Sequence, residues 1–142
     1  MAQYFEITCP SRSENVGLCR IAAATFAANL GFALGEIEEI KVAVSEAVSN
    51  VVVHAYPGAE GLVVLRCEET EEGLLVLVRD EGIGIADVAK AREASYSTDP
   101  ERMGLGFVFM ESFSDGFEVE SSPRHGTRIA MRKRREAPAE GA

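Results

Sequence analysis

The chain has 142 residues, 46% of them hydrophobic and 26% charged, so it can bury one substantial core as a single soluble domain. Its formal net charge of −9 argues against DNA or RNA as a direct partner, because binding to a phosphate backbone needs a basic surface. Glu, Asn or Arg interrupt the longest apolar stretches before the ~20 residues of a membrane-spanning helix, so we expect no membrane association and a cytoplasmic location.

The first half of the sequence predicts one strand followed by two helices. Residues 3–8 alternate in hydrophobicity as a strand does. Ser11 and Glu14 have the spacing of a capping box, which predicts a first helix that runs to about residue 30. A second helix is predicted over residues 34–56, because a Pro-Gly pair stops it. The three cysteines are widely spaced within apolar patterns, which favours buried thiols over a disulfide framework or a zinc site.

The second half predicts four more strands, over residues 62–69, 74–79, 117–121 and 127–131. Short helices are predicted to begin at Asp87 and at Gly106, and the aperiodic residues 92–105 between them are typical of a lid or binding loop. The order of elements predicts an α+β protein, a two-layer α/β sandwich with helices on one face of a mixed, mostly antiparallel sheet. We expect one domain over residues 1–132 and a charged, disordered tail over residues 133–142.

The second predicted helix carries two polar side chains opposite its apolar stripe. At about 100° per residue, six apolar residues face the sheet: Ile37, Ile40, Val44, Ala47, Val48 and Val51. Glu46 and Asn50 are four residues apart, so they are neighbours on the other side of the helix. Taken alone, this pair is as consistent with a solvated polar face as with a binding site.

Two glycine-rich segments follow, at residues 80–84 after a predicted strand and at residues 103–107 before a predicted helix. Each on its own is also consistent with an ordinary turn or hinge. Gly106 at the start of a helix would offer free N–H groups and the positive end of the helix dipole to a phosphate. The polar pair and the two glycine segments, in this order and spacing, favour a nucleotide site.

The chain resembles the Bergerat ATP-binding fold (the GHKL ATPase/kinase superfamily) in four segments that match its N, G1, G2 and G3 boxes, residues 46–50, 80–84, 104–106 and 126–127. Within that superfamily it is similar to bacterial anti-sigma factors with serine kinase activity, of the sporulation anti-sigma F type, in residues 45–56, 79–85 and 104–111. The resemblance covers residues 3–132, which is nearly the whole chain.

The resemblance implies a role for each matching residue. Asp80 would accept a hydrogen bond from the adenine amino group, with Thr127 assisting through water. Asn50 would supply an oxygen ligand to Mg²⁺, which takes its remaining ligands from phosphates and water. Glu46, one helical turn earlier, would be the general base for the attacking hydroxyl.

Backbone groups and one arginine complete the implied nucleotide site. Gly84, Gly104 and Gly106 would let the backbone approach the nucleotide, and the amides around Leu105 would bind its phosphates. Arg102, just before the second glycine segment, would contact the γ-phosphate of ATP and contribute to catalysis.

The same resemblance implies protein partners. In its ATP form, a homodimer of the chain would hold a sporulation sigma factor away from RNA polymerase, and the protein would phosphorylate a serine of a small anti-anti-sigma factor. Arg20, on the first helix, matches a position that faces protein partners in the family. A lid over residues 92–105 that orders around the γ-phosphate would make the choice of partner depend on whether ATP or ADP is bound.

Three alternatives remain open at this point. One is a stress-response (sigma B type) anti-sigma factor with the same chemistry, and another is a non-catalytic module that holds ATP as a structural ligand. The catalytic domain of a histidine kinase is disfavoured, because the sequence contains no separate helical pair with a phospho-acceptor histidine.

Overall fold

The computed structural model describes residues 1–85 and 103–136. Five strands lie in these ranges: β1 Tyr4–Pro10, β2 Leu62–Glu69, β3 Gly73–Asp80, β4 Gly116–Ser121 and β5 Thr127–Arg134. The α-helices described there are α1 Glu14–Asn29, α2 Leu34–Asn50 and α3 Met103–Phe113, and α2 continues into a π-helical turn, Val51–Ala55. The helix predicted at Asp87 and most of the predicted lid lie outside the described residues.

The described strands form one sheet in the order β1-β2-β3-β5-β4, and every neighbouring pair within it is antiparallel. The predicted α+β sandwich is confirmed, and no parallel pair occurs in the described part of its sheet. The register sets Asp80, the last residue of β3, directly opposite Thr127, the first residue of β5. Two side chains that are predicted to bind the nucleotide base therefore lie next to each other at one end of the sheet.

The core lies between the sheet and α2, which packs against α1 on one side and α3 on the other. The predicted apolar stripe of α2 is confirmed: Ile40, Val44, Ala47, Val48 and Val51 are buried, and Ile37 packs against them while partly exposed. Burial of a large aliphatic side chain contributes about 1.5–3 kcal/mol relative to exposure, so this stripe fixes the rotation of α2 about its axis. None of the helices in the described ranges has the length and apolar character that crossing a bilayer requires.

The three cysteines are buried free thiols, as predicted. Burial raises the pKa of both Cys19 and Cys67 to about 12, with the neighbouring Cys9 adding to the shift at Cys19. Both thiols are therefore protonated and chemically inert at neutral pH. Their contribution is to core packing between α1 and the sheet.

The predicted capping box at the start of the first helix is wrong. Helix α1 begins at Glu14 with Ser13 at its N-cap, and no side chain there caps it. The hydroxyl oxygen of Ser11 instead accepts a hydrogen bond from the backbone N–H of Gly61 at 3.1 Å. The Ser11 side chain, which the local pattern predicts to cap the helix, therefore instead joins the end of β1 to the residue before β2.

The predicted end of the ordered chain is also wrong. Strand β5 continues to Arg134, three residues beyond its predicted end, and pairs there with the start of β3. The charge of residues 133–142 favours a disordered tail, but the side chains of residues 132–134 alternate as in a strand. Lys133 turns toward α2 and its Nζ donates to Glu39 Oε2 at 2.6 Å, while Arg132 and Arg134 are exposed. Residues 137–142 lie outside the described residues.

Candidate functional site

A cavity of about 280 Å³ opens between the C-terminal end of α2, the segment that follows β3, and the start of β5. Much of its wall is apolar and includes Val51, Ile83, Ile85, Phe107 and Ile129. Four of the predicted site residues line it: Asn50, Asp80, Gly84 and Thr127. An apolar cavity with a few convergent polar groups is the usual form of a small-molecule site.

Asp80 is the acidic group of this cavity, and only 9% of it is exposed. Burial raises the pKa of its carboxyl above the ordinary value, and hydrogen bonds from the backbone N–H groups of Gly82 and Thr127 counteract part of that rise. The Gly82 N–H lies 2.8 Å from Asp80 Oδ1. A buried carboxylate that still has lone pairs facing an apolar cavity is set to accept hydrogen bonds from a ligand.

Asn50 occupies the other side of the cavity, at the point where α2 changes from α-helical to π-helical geometry. Such π turns are frequent at functional sites, because they redirect the side chains on either side of them. The Asn50 Nδ2 atom is buried and has no hydrogen-bond partner among the described residues. Buried amides are nearly always paired, so a ligand in the cavity is the natural partner for this side chain.

Asn50 would offer a magnesium ion one protein ligand, its side-chain oxygen, with the other ligands coming from phosphate and water. Among the described residues, no group of three or more His, Cys, Asp or Glu is placed to hold a metal ion. Mg²⁺ needs few protein ligands, since it keeps several waters and binds phosphate oxygens. One amide oxygen from Asn50 is consistent with that mode of binding.

Two glycines with positive φ hold the segment after β3 against the β4–β5 turn. A Cβ at Gly84 (φ 76°) would collide with the carbonyl oxygen of Ser122, and a Cβ at Gly126 (φ 74°) would collide with the carbonyl oxygen of Asp80. Among the described residues, Gly84 is needed because the backbone of the β4–β5 turn passes close to it. Both glycines shape the wall of the cavity around Asp80.

Replacing Gly126 by alanine is expected to lower the free energy of unfolding by about 2 kcal/mol or more, because it combines left-handed backbone strain with a backbone collision. Urea unfolding monitored by circular dichroism measures the change. Gly58→Ala is the matched control: its φ is 70°, and no atom lies within 4 Å of the added Cβ. Equal losses in the two variants would contradict a packing role for Gly126.

Two hydroxyl groups that the sequence did not identify organise the same region. The Tyr56 hydroxyl donates to the Leu62 carbonyl at 2.7 Å and accepts from the Glu81 N–H at 2.9 Å, so it ties the end of the π turn to the segment after β3. Ser121, at the end of β4, contacts the Thr127 hydroxyl. A single sequence carries no signal for either residue, because each is recognisable only once the strand register is known.

Glu46 lies outside this cavity. It lines an adjacent surface groove of about 480 Å³ together with Arg20, Glu38, Lys41, Val42 and Ser45. In that groove Arg20 Nη1 donates to the Ser45 hydroxyl at 3.4 Å. The predicted general base and the predicted partner-binding arginine therefore share one groove next to the end of α2 that carries Asn50.

Gly104, Leu105 and Gly106 belong to the first turn of α3, which is already helical at Met103, three residues before the predicted start at Gly106. The N–H groups of the first three helical residues have no acceptor within the helix, so the amides of Gly104 and Leu105 are placed to bind an anion, whereas Gly106, as the fourth helical residue, begins the i→i−4 ladder of the helix. Arg102 lies outside the described residues.

Comparison with known proteins identifies the family of the chain independently of the site geometry. A family model described as a histidine kinase-like ATPase domain matches residues 9–133. The anti-sigma F factor of Clostridium novyi (strain NT) is 43% identical over 127 residues, which cover 87% of this chain and 89% of that protein. The anti-sigma F factor of Clostridium acetobutylicum is 42% identical over 131 residues, which cover 91% and 92%.

Two solved structures share the fold. The RsbU and RsbW domains of Rv1364c from Mycobacterium tuberculosis superimpose with a TM-score of 0.72 at 21% identity, over 96% of this chain and 34% of that one. The histidine kinase domain of a blue-light activated kinase from Erythrobacter litoralis gives a TM-score of 0.56 at 20% identity, over 84% and 58%. On the family match and the identity to relatives that are covered over about nine-tenths of their length, the chain belongs to the histidine kinase-like ATPase family and, within it, to the anti-sigma F factors.

Proposed function

We propose that this protein binds a sporulation sigma factor of the F type in its ATP form and phosphorylates a serine of the matching anti-anti-sigma factor. The observation that carries the proposal is the cavity with a buried acid, Asp80, on one side and the orphaned amide of Asn50 on another. Relatives named anti-sigma F factor, at 43% and 42% identity, support the sigma-factor part of the proposal.

The purine of ATP would lie in the apolar part of the cavity. The Asp80 carboxylate accepts hydrogen bonds, so it selects a base with a donor at the edge that faces it, as adenine has in its 6-amino group. Ile83, Ile85 and Phe107 supply apolar surface for the faces of the ring. Binding of adenine also gives the buried Asp80 carboxylate a further hydrogen bond, in addition to those from the Gly82 and Thr127 N–H groups.

The phosphates would extend toward Asn50 and the first turn of α3. Magnesium, when bound, neutralises phosphate charge, and the Asn50 oxygen is the side-chain ligand that this part of the protein offers it. The N–H groups of Gly104 and Leu105 donate to phosphate oxygens, and Gly106, which lacks a side chain, leaves room for the nucleotide next to them. We also assign the contact with the γ-phosphate to Arg102, from the match of the sequence to the family motif.

Glu46 would act as the general base for the protein substrate. It lies one helical turn before Asn50, and side chains at this spacing are about 5–6 Å apart at their Cβ atoms. As the serine oxygen forms its bond to the γ-phosphorus and the bond to ADP breaks, the Glu46 carboxylate takes the serine proton. The groove that Glu46 shares with Arg20 offers the substrate protein a docking surface next to the cavity.

The charge of the chain and of the groove supports the proposed partners. A chain with a net charge of −9 suits a partner with basic patches, and Arg20 at the groove supplies a local positive contact. We propose that the protein acts as a homodimer in the cytoplasm, where the sigma factor meets RNA polymerase, and that ATP favours the sigma factor while ADP releases it.

The test is phosphate transfer from γ-labelled ATP to the purified anti-anti-sigma factor of the same organism, with capture of sigma F measured in ATP and in ADP. We expect a labelled serine and stronger capture of the sigma factor in ATP. Nucleotide-dependent capture without labelled serine would identify a binding module that holds ATP without turnover. Capture of a stress-response sigma factor in preference to sigma F would identify the sigma B type.

A further inference from the structure

Ser121 carries three short hydrogen-bond contacts that together fix the direction of the Thr127 hydroxyl. Its Oγ lies 2.7 Å from the Ile85 backbone N, 2.8 Å from the Gly126 carbonyl oxygen and 2.8 Å from Thr127 Oγ1. A serine hydroxyl has one proton to donate and two lone pairs that accept. The three contacts use all of this capacity.

The assignment of protons follows from which groups can only donate or only accept. The Ile85 N–H can only donate, and the Gly126 carbonyl can only accept, so Ser121 gives its single proton to Gly126. The Thr127 hydroxyl must then donate its own proton to Ser121. Thr127 Oγ1 therefore presents only lone pairs to the cavity that it lines.

We propose that Ser121 is a positioning residue that makes Thr127 an obligatory acceptor and so helps the site to select a 6-aminopurine. This inference rests on the proposed binding of ATP in the cavity. Thr127 is the cross-strand partner of Asp80, so the two side chains meet the same edge of a bound base. A 6-amino group can donate one hydrogen to Asp80 and the other, directly or through a water, to Thr127, whereas a 6-oxo group has no hydrogen to donate.

The experiment uses calorimetry with Mg²⁺ present to measure the dissociation constants of the wild-type protein and of Ser121→Ala for two nucleotides. These are ATP and inosine triphosphate, whose base has a 6-oxo group in place of the 6-amino group. In Ser121→Ala the Thr127 hydroxyl is free to turn and donate to a 6-oxo group. We expect the preference for ATP over inosine triphosphate to fall roughly tenfold, about the effect of one hydrogen bond. Ser122→Ala, at the exposed neighbouring residue, is the matched control and should keep the wild-type preference.

A double-mutant cycle separates this role from a structural one. In a Thr127→Val background, Ser121→Ala should cause no further loss of preference, because the hydroxyl that Ser121 orients is absent. If Ser121→Ala does not fold, Thr127→Val alone must still lower the preference. An equal loss of affinity for both nucleotides, with an unchanged ratio, would overturn the inference while leaving ATP binding intact. Failure of the wild-type protein to bind either nucleotide would overturn the proposed function together with it.

Discussion

Replacement of Glu46 by glutamine is expected to slow phosphate transfer to the anti-anti-sigma factor by about 10²–10⁴-fold, the usual contribution of a general base. Glutamine keeps the size and polarity of the side chain but cannot take the serine proton. The dissociation constant for ATP should change little, because Glu46 lies in the groove beside the cavity and does not line it. Single-turnover transfer of label, with ATP binding measured in parallel, separates the two quantities.

Glu38→Gln is the matched control for this variant. Glu38 lies on the same helix and lines the same groove, where it forms an exposed ion pair with Lys41 at 3.3 Å. With the anti-anti-sigma factor at saturating concentration, so that docking in the groove does not limit the rate, Glu38→Gln should transfer phosphate at nearly the wild-type rate, since exposed pairs of this kind contribute little. Equal rates for Glu46→Gln and the wild-type protein would contradict the role of Glu46 as the base and would move the proton acceptor elsewhere.

Replacement of Asp80 by asparagine is expected to weaken ATP binding by about 100-fold or more. The change removes a charged acceptor from a buried site, and the amide can turn an NH₂ group toward the donor of the base. Calorimetric titration of ATP with Mg²⁺ measures the loss. Glu81→Gln, at the exposed next residue, is the control and should bind ATP as the wild-type protein does.

The pH dependence of the same titration gives a second readout of Asp80. Burial raises the pKa of this carboxyl, so the folded protein holds the proton more readily than the unfolded chain does. The stability that Asp80 contributes is present below the pKa that its carboxyl has in the unfolded chain, and it is lost as the pH rises through the higher pKa of the folded protein. Ionised Asp80 therefore slightly destabilises the protein at neutral pH when no nucleotide is bound. Wild-type affinity for ATP should fall as acidification protonates Asp80, and Asp80→Asn should lack this step. A step of the same size in Asp80→Asn would assign the titration to another group.

Most of the fold can be predicted because it depends on periodicity. The apolar stripe of α2 and the alternating burial in β2 and β3 are both readable from the sequence, and both are observed. The errors occur where a tertiary contact outweighs a local pattern. Ser11 accepts a hydrogen bond from the Gly61 N–H rather than capping α1. Lys133 lies in β5, where it pairs with Glu39, although its charge favoured a disordered tail.

The site was predictable only in part. Asp80, Asn50 and Thr127 lie in short motifs, and the fold brings all three to one cavity. The contact between Ser121 and Thr127 depends on the register of β4 with β5, which one sequence does not specify. The cavity opens over the π turn that follows Asn50, from which Val51, Val53, His54 and Ala55 line it, and a periodicity of 3.6 residues does not reveal that turn.

A crystal structure with Mg²⁺ and a non-hydrolysable ATP analogue tests the nucleotide site most directly. We expect the purine against Ile83 and Phe107, its 6-amino group within hydrogen-bond distance of Asp80, and the metal ligated by the Asn50 oxygen. A nucleotide bound in the groove of Arg20 and Glu46, or a purine that makes no contact with Asp80, would contradict the cavity as the ATP site.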